Sequence, residues 1–350
     1  MKVGIVGFPR SGKSTIFTAL SGVDVPVGHF TESGVVHRGT IKVPDPRVDE
    51  LARRFRPRKV TYAEIVFVDF PPPAPGRSES ALDPATIAQM REMDALVQVV
   101  RGFTDPLSGE PPAPVRDLEA FKSELVLNDL MLVERRLERL KKERGRERER
   151  ALLETLREAL EAERPLRTLN WTSEDTALLS GFGFLSRKPF MVVLNVAEGQ
   201  AREPMPAEVQ VWLDGEGVPG IVLAGQIEME ISKLPEDDRA AFLADLGLSS
   251  SARDRFIRKA YELLELISFL TTGEDEVRAW TIRRGTTAVK AAGKIHSDIE
   301  RGFIRAEVVA YDDFVQCGSE AKAREAGKLR LEGKDYVVRD GDIIHFRFNV

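Results

Sequence analysis

The sequence predicts an α/β protein: buried parallel strands with helices on their faces, interrupted by a long helical arm and followed by a small β-rich domain. Three observations predict it. The apolar runs Val3–Val6, Ile65–Val68, Ala95–Val100, Phe190–Leu194 and Val218–Ala224 carry little of the polar alternation of a half-exposed strand, as expected for strands covered on both faces. In the middle of the chain, leucines recur three and four apart among Arg, Glu and Lys. A composition shift at Thr271-Thr272-Gly273-Glu274-Asp275 then marks a boundary.

Size and composition bound the answer. A chain of 350 residues with 42% hydrophobic residues suggests two or three soluble domains, and no run reaches the length that spans a bilayer. A strand begins within two residues of Met1, which leaves no room for a cleaved signal, so a cytoplasmic location is expected and no membrane partner. The single cysteine, Cys317, excludes an intramolecular disulfide and a multi-Cys zinc site. His29, His37, His296 and His345 show no metal-ligand spacing. A net charge of −5 neither demands nor excludes nucleic acid.

The first strand runs into Gly7-Phe8-Pro9-Arg10-Ser11-Gly12-Lys13-Ser14 and then a helix-compatible run to Leu20. Strand, Gly-rich loop and helix in that order build a cradle for phosphates: glycines let the backbone approach the anion, and amides at the helix N-terminus point at it. Residues Arg10 to Thr15 therefore form the candidate phosphate site, with Lys13 reaching the β- and γ-phosphates as the catalytic cation and Ser14 ligating Mg²⁺. In the Gly/Val/Thr-rich stretch Val23–Val43, Thr31 and Ser33 are candidates for a hydroxyl that meets the metal, or residues of a plain surface loop. A turn at Pro44-Asp45-Pro46-Arg47 opens a short amphipathic helix with Val48, Leu51, Ala52 and Phe55 on one face.

Asp69 closes the second buried strand, where its carboxylate can hold Mg²⁺ through water or merely cap a turn; the phosphate loop favours the metal role. Beyond it lies Phe70-Pro71-Pro72-Pro73-Ala74-Pro75-Gly76, where a switch GTPase has Asp-x-x-Gly. Pro72 has no N–H to donate to a γ-phosphate, so weak hydrolysis or a switch biased to one state is expected. After the strand Ala95–Val100, Leu130, Val133, Leu137 and Leu140 pair with Leu152, Leu156 and Leu160 across a charged tip at Gly145, predicting an antiparallel coiled-coil hairpin. Strands resume at Phe190 and Val218, so the arm is an insertion in one sheet. Asn195, Val196 and Glu198 follow one strand and Ala224-Gly225 the other. Asn195 and Glu198 suit base recognition or loop bracing, although Asn-x-x-Glu alone is commonly a strand-to-loop transition, and no Asn-Lys-x-Asp guanine motif occurs. Two helical patterns are expected from Leu234 to Leu270. The C-terminal part then predicts a strand Val277–Ile282, a helix Ala291–Arg301, a strand Arg305–Tyr311 and a hairpin of Asp335–Val338 with Ile343–Val350 around Asp340-Gly341. Residues 276–350 carry 14 Lys or Arg against 12 Asp or Glu, weak support for direct RNA contact.

These residues resemble the YchF, or Obg-like, ATPases, a translation-factor branch of the P-loop NTPases. The resemblance rests on Ala279-Trp280-Thr281-Ile282, on Gly293-Lys294-Ile295-His296-Ser297-Asp298-Ile299-Glu300-Arg301-Gly302-Phe303-Ile304-Arg305-Ala306, and on Glu325-Ala326-Gly327-Lys328, Glu332-Gly333-Lys334-Asp335-Tyr336 and Asp340-Gly341-Asp342. The phosphate loop, Pro44-Asp45-Pro46-Arg47 and Asn195-x-x-Glu198 fit as well. It implies a nucleotide-binding G domain over 1–116 and 186–275, an inserted arm over 117–185 and a TGS domain of ubiquitin-like β-grasp fold over 276–350. It also implies ATP in preference to GTP, Mg²⁺, slow hydrolysis, and association with the ribosome or with translation and stress factors. A hydrolysis-deficient nucleotide-binding scaffold is the alternative reading. Arg10 stands where the family has an Asn of the type that helps hold an activating K⁺. Its guanidinium would either supply that charge permanently, making any activity K⁺-independent, or point to solvent. Ala197 stands where relatives often have a polar residue, which weakens the expectation of adenine preference.

Overall fold

Parallel strands need both faces covered, and the continuous apolar runs are where the first sheet forms. A computed structural model of the chain describes residues 1–23, 36–70, 82–235, 238, 239, 241, 243 and 251–349. By spatial proximity it divides into two compact units, residues 1–40 with 66–256 and residues 41–65 with 257–350.

In the first sheet, β1 (Lys2–Val6), β2 (His37–Lys42), β4 (Glu64–Asp69), β5 (Ala95–Arg101), β6 (Phe190–Asn195) and β7 (Gly220–Leu223) lie in the order β2-β4-β1-β5-β6-β7. β1 pairs in parallel with both β4 and β5, placing Ile5 beside Asp69 and beside Val97. β5, β6 and β7 continue the parallel ladder. Every residue of β5 and β6 is buried. Because β1 sits between β4 and β5, the chain leaves the sheet in opposite directions from neighbouring strands, and a crevice opens at their carboxyl ends. Around the sheet lie α1 (Lys13–Ser21), α3 (Pro84–Arg91), α7 (Ala207–Glu216) and α8 (Gly225–Lys233).

The arm is the expected helical pair, α4 (Pro114–Leu140) and α5 (Glu147–Glu161), entering between β5 and β6. Val126, Val133, Leu137 and Leu140 share one apolar cluster with Leu153, Leu156 and Leu160. Its base is pinned by Asp129, a fully buried carboxylate that accepts hydrogen bonds from the Leu185 N–H (3.0 Å), the Ser186 N–H (2.7 Å) and the Ser186 hydroxyl (2.8 Å). Such a charge is tolerated inside only when its lone pairs are used. A short helix, α6 (Ser173–Leu178), opened by a capping box from Thr172 and Asp175, follows the arm.

The second unit is built on a sheet of order β11-β10-β12-β8-β9-β3: β3 (Lys59–Thr61), β8 (Leu266–Thr271), β9 (Glu276–Arg283), β10 (Phe303–Ala310), β11 (Arg330–Glu332) and β12 (Asp342–Phe348). The helix Ala288–Ile295 lays Ala288, Ala291 and Ala292 against Ile267, Phe269, Ile282 and Val308, which is the β-grasp arrangement. A second cluster joins Val48 and Leu51, from α2 (Pro46–Phe55), to Leu270, Val277, Val309 and Ile343.

Four expectations change here. Residues 266–271 form β8 rather than the end of a helix, because an apolar run of that length fits a buried strand as well, and β9 and β12 flank it. The terminal hairpin does not form: Val337 makes an isolated bridge to Thr287, while β12 pairs antiparallel with β10 and parallel with β8. The Asp340-Gly341 turn is tied to β8 instead, Asp340 accepting from the Ser268 N–H (2.8 Å) and the Gly341 N–H donating to the Ser268 carbonyl (2.9 Å). The helix Ala291–Arg301 is two helices, Ala288–Ile295 and Ser297–Arg301, with His296 extended between them and its Nδ1 accepting from the Asp298 N–H. Residues 41–65 and 257–275, placed with the nucleotide-binding domain from sequence, belong to the second unit, because β3 pairs with β9, β8 with β9 and β12, and α2 packs on their common face.

Candidate functional site

The loop from Gly7 to Gly12 is shaped by steric necessity. Gly7 has φ 139° and a Cβ there would lie 2.4 Å from the Val99 carbonyl oxygen; Gly12 has φ 87° and its Cβ would meet Asn195 Nδ2 at 2.1 Å. Gly12 is the N-cap of α1, so the unpaired amides of the first helical turn open at the carboxyl edge of the sheet. Lys13 follows, buried, with Nζ donating to the Phe8 carbonyl at 3.2 Å across its own loop. Burial pulls its pKa down from 10.5 to about 8, against the opposing pull of Asp69.

Ser14 Oγ donates to Asp69 Oδ2 at 2.9 Å. The other carboxylate oxygen, Oδ1, is shielded from solvent with no hydrogen-bond partner among the described residues. Burial raises the Asp69 pKa, opposed by the Ser14 hydrogen bond and the charges of Lys13 and His37. A shielded, unsatisfied carboxylate oxygen beside a serine hydroxyl is an oxygen pair that fits Mg²⁺, a hard cation taking oxygen ligands. Ser11 is buried too, its Oγ likewise without a partner.

Asn195, at the end of β6, is the connector. Its Nδ2 donates to the Ser11 carbonyl at 3.0 Å, and its Oδ1 accepts from the Gly225 N–H at 2.9 Å. The amide thus ties the phosphate loop to the first turn of α8. Ala224 is the buried N-cap residue of α8, and its carbonyl accepts from Glu228 N–H. Beside this brace lies a cavity of about 570 Å³ lined by Gly12, Thr15, Asn195, Val196 and Glu198, all expected, and by residues that sequence reasoning missed. Those are chiefly Phe103, Thr104, Pro106 and Pro112 of the loop after β5, with Gln200 and Gln226. The signal was present: Gly102-Phe103 follows a buried strand at the carboxyl edge, where ligands of such sheets bind. Gly102 lets that loop lie close, its N–H donating to the Asn195 carbonyl at 2.7 Å.

Arg10 goes elsewhere. With φ 63°, it turns to Asp105, Nη1 to Oδ2 at 3.1 Å, and lines a separate cavity of about 470 Å³ with Arg101, Glu110 and Arg116. Its side chain is half exposed, so the pairing with Asp105 is made at the solvent edge. Thr31, Ser33 and Pro71–Gly76 lie outside the described residues.

Compared with known proteins, the chain is 39% identical over 365 residues to the ribosome-binding ATPase YchF of Bacillus subtilis (strain 168), with 100% of both chains covered. The chain belongs to the YchF family. It is 40% identical to the ribosome-binding ATPase YchF of Pasteurella multocida (strain Pm70), covering 100% of this chain and 99% of that one, and 33% identical to Obg-like ATPase 1 of Caenorhabditis elegans, covering 100% and 92%. Among solved structures, the Schizosaccharomyces pombe YchF GTPase superposes with a TM-score of 0.85 at 30% identity, over 99% of this chain and 97% of that one. A family model, YchF-GTPase_C, described as a protein of unknown function (DUF933), matches residues 266–349. The fold is accordingly that of a YchF protein, a P-loop NTPase domain with an inserted arm and a C-terminal β-grasp domain. No described helix is long and apolar enough to cross a membrane.

Proposed function

We propose that this chain binds ATP with Mg²⁺ at the carboxyl edge of the first sheet, hydrolyses it slowly, and works as a nucleotide-dependent switch on the ribosome or a ribosome-associated factor in the cytoplasm. The observation that carries the reading is the Asn195 brace: one buried side chain joins the phosphate loop to α8 beside a cavity large enough for a nucleoside. In this reading the Arg10 backbone and residues Ser11 to Thr15 supply the phosphate cradle, and Val196, Glu198, Ala224 and Gly225 the base end with Asn195. Ser14 and Asp69 would hold Mg²⁺; Thr31, the further hydroxyl expected from sequence, lies outside the described residues. Held there, the ion would supply positive charge against the phosphate oxygens. Lys13, with the α1 amides, meets the charge that develops on the phosphates. Burial lowers its pKa to about 8 against the pull of Asp69, and the negative charge of a triphosphate would raise it.

Both ends of the Asn195 amide are engaged by backbone, so discrimination between bases falls to Glu198, Gln200 and Gln226 around the cavity rim. Since no guanine motif is present, ATP is the preferred ligand and GTP the weaker one. The names of the bacterial relatives support the ribosome as partner. Direct contact with RNA belongs to the same proposal and is supported only by the slight basic excess of residues 276–350.

The test is calorimetry of Mg·ATP and Mg·GTP with turnover, on the native chain and on Lys13→Ala. The variant should lose about 10- to 100-fold in ATP affinity, the worth of one charge-assisted contact. Equal binding by the variant, or no binding of either nucleotide by the native chain, would overturn the reading.

A further inference from the structure

The loop that follows β5, residues 102–112, has two sides. Gly102, Phe103, Thr104, Pro106 and Pro112 wall the nucleoside-sized cavity. On the other side Asp105, 3% exposed, gathers donors on both oxygens: Oδ1 accepts from the Leu107 N–H (2.8 Å) and the Ser108 N–H (3.3 Å), and Oδ2 from Arg10 Nη1 (3.1 Å). These donors, the Leu107 N–H foremost, hold the Asp105 carboxyl down at about 2, so it is ionised throughout the physiological range. The rest of the loop is braced from within. Arg101 donates to the carbonyls of Phe103 (3.0 Å), Glu110 (2.8 Å) and Pro111 (3.3 Å), and the Asp105 N–H donates to the Glu110 carbonyl (2.9 Å). These bonds tie the two ends of the loop to each other.

Arg10 is in the left-handed region, which a long side chain adopts only where its surroundings hold it. Its guanidinium sits with Asp105 in the second cavity and not among the residues lining the first. We propose that Asp105 is a positioning residue: by gripping Arg10 it locks the loop that walls the base end of the site to the loop that receives the phosphates, fixing the distance between them. The inference rests on the nucleotide reading above and adds to it a residue that spans the two ends of the ligand without touching either.

A ligand that fills both ends feels the lock, whereas inorganic tripolyphosphate fills one. Calorimetry with Mg·ATP and Mg·tripolyphosphate on the native chain, Arg10→Gln, Asp105→Asn and the double variant separates the possibilities. Asp105→Asn keeps an acceptor for the Leu107 and Ser108 amides, and Arg10 is 53% exposed along its side chain, so both single variants should fold, with thermal midpoints lowered only modestly. Arg10→Lys, which keeps the charge, guards against a fold defect and should retain most of the ATP affinity. Each single variant should weaken ATP about 3- to 10-fold while tripolyphosphate changes less than about 2-fold, and the double variant should be no worse than the weaker single one. Equal weakening of both ligands, additive effects, or tighter tripolyphosphate binding once Asp105→Asn frees Arg10 would overturn the proposal and make Arg10 a direct phosphate ligand. If the native chain binds neither ligand, the nucleotide reading itself fails. If it binds ATP and the variants match it, only this inference does.

Discussion

Asn195 does two jobs with one amide because its two ends differ: the NH₂ can only donate, and it meets a carbonyl, while the oxygen can only accept, and it meets an N–H. Aspartate could keep the second bond and would set an oxygen against the Ser11 carbonyl in place of the first. Asn195→Ala removes both and leaves the Ser11 carbonyl and the Gly225 N–H buried without a partner, which costs about 1–3 kcal/mol each. The expected outcome is a lower urea midpoint in the ligand-free protein together with ATP binding weakened at least about 10-fold. A variant that unfolds at the native midpoint would show that the brace contributes nothing to stability. Gly12 belongs to the same device, since any Cβ at that position enters the space Nδ2 occupies.

Across the arm, α4 and α5 meet through leucines, but their free ends are joined by charge. Arg136 on α4 reaches Glu149 on α5 with Nε and Nη2 (2.7 and 3.1 Å) and Glu143 in the tip with Nη1 (2.8 Å). The Arg136 hydrogen bonds lower the Glu149 pKa below its usual 4.5. A carboxylate whose folded pKa is depressed stabilises the fold above the unfolded value and loses that contribution as pH falls through the folded one. Glu149→Gln should therefore destabilise the arm by about 1 kcal/mol at neutral pH. Hydrogen exchange of the α4 and α5 amides should show the gap between native and variant protein constant above pH 4.5 and closing below it. A gap that persists or widens on acidification would mean that the stabilisation does not come from the ionised pair.

At the scale of the molecule, the second unit is discontinuous in sequence. Val48 and Leu51 of α2 are fully buried in a cluster whose other members lie beyond residue 256, apart from Ala63. Each such side chain contributes about 1.5–3 kcal/mol by burial, so losing the two removes about 3–6 kcal/mol from a total that is typically about 5–15. A fragment of residues 266–350, nearly the stretch matched by the C-terminal family model, should not unfold cooperatively, and joining residues 41–65 to it through a flexible linker should restore a sigmoidal transition. Cooperative unfolding of the bare fragment would show that α2 and β3 are decoration rather than core.

How much of this could be read beforehand depends on the distance over which each feature is decided. The phosphate loop, the buried strands, the closing Asp69 and the arm were legible, because strand, turn and helix patterns are set by steric and hydrogen-bonding preferences within a dozen or so residues. Residues 266–271 were misread because a short apolar run is equally good local chemistry for a strand or a helix, and only the flanking β9 and β12 decide. That Phe103, Thr104 and Pro106 wall the cavity is not written locally, because nothing in a Pro/Gly-rich loop says what it faces. Local patterning was enough to locate the Gly-rich loop at the head of α1 and the strands around it. It took the folded chain to bring Asn195 to the Ser11 carbonyl from 184 positions away, Arg10 to Asp105 from 95 away, and residues 41–65 into the second unit. The physical reason is the strand order: with β1 set between β4 and β5 and β6 beyond, the carboxyl ends of distant segments converge on one edge, and a side chain there finds its partner by packing rather than by spacing along the chain.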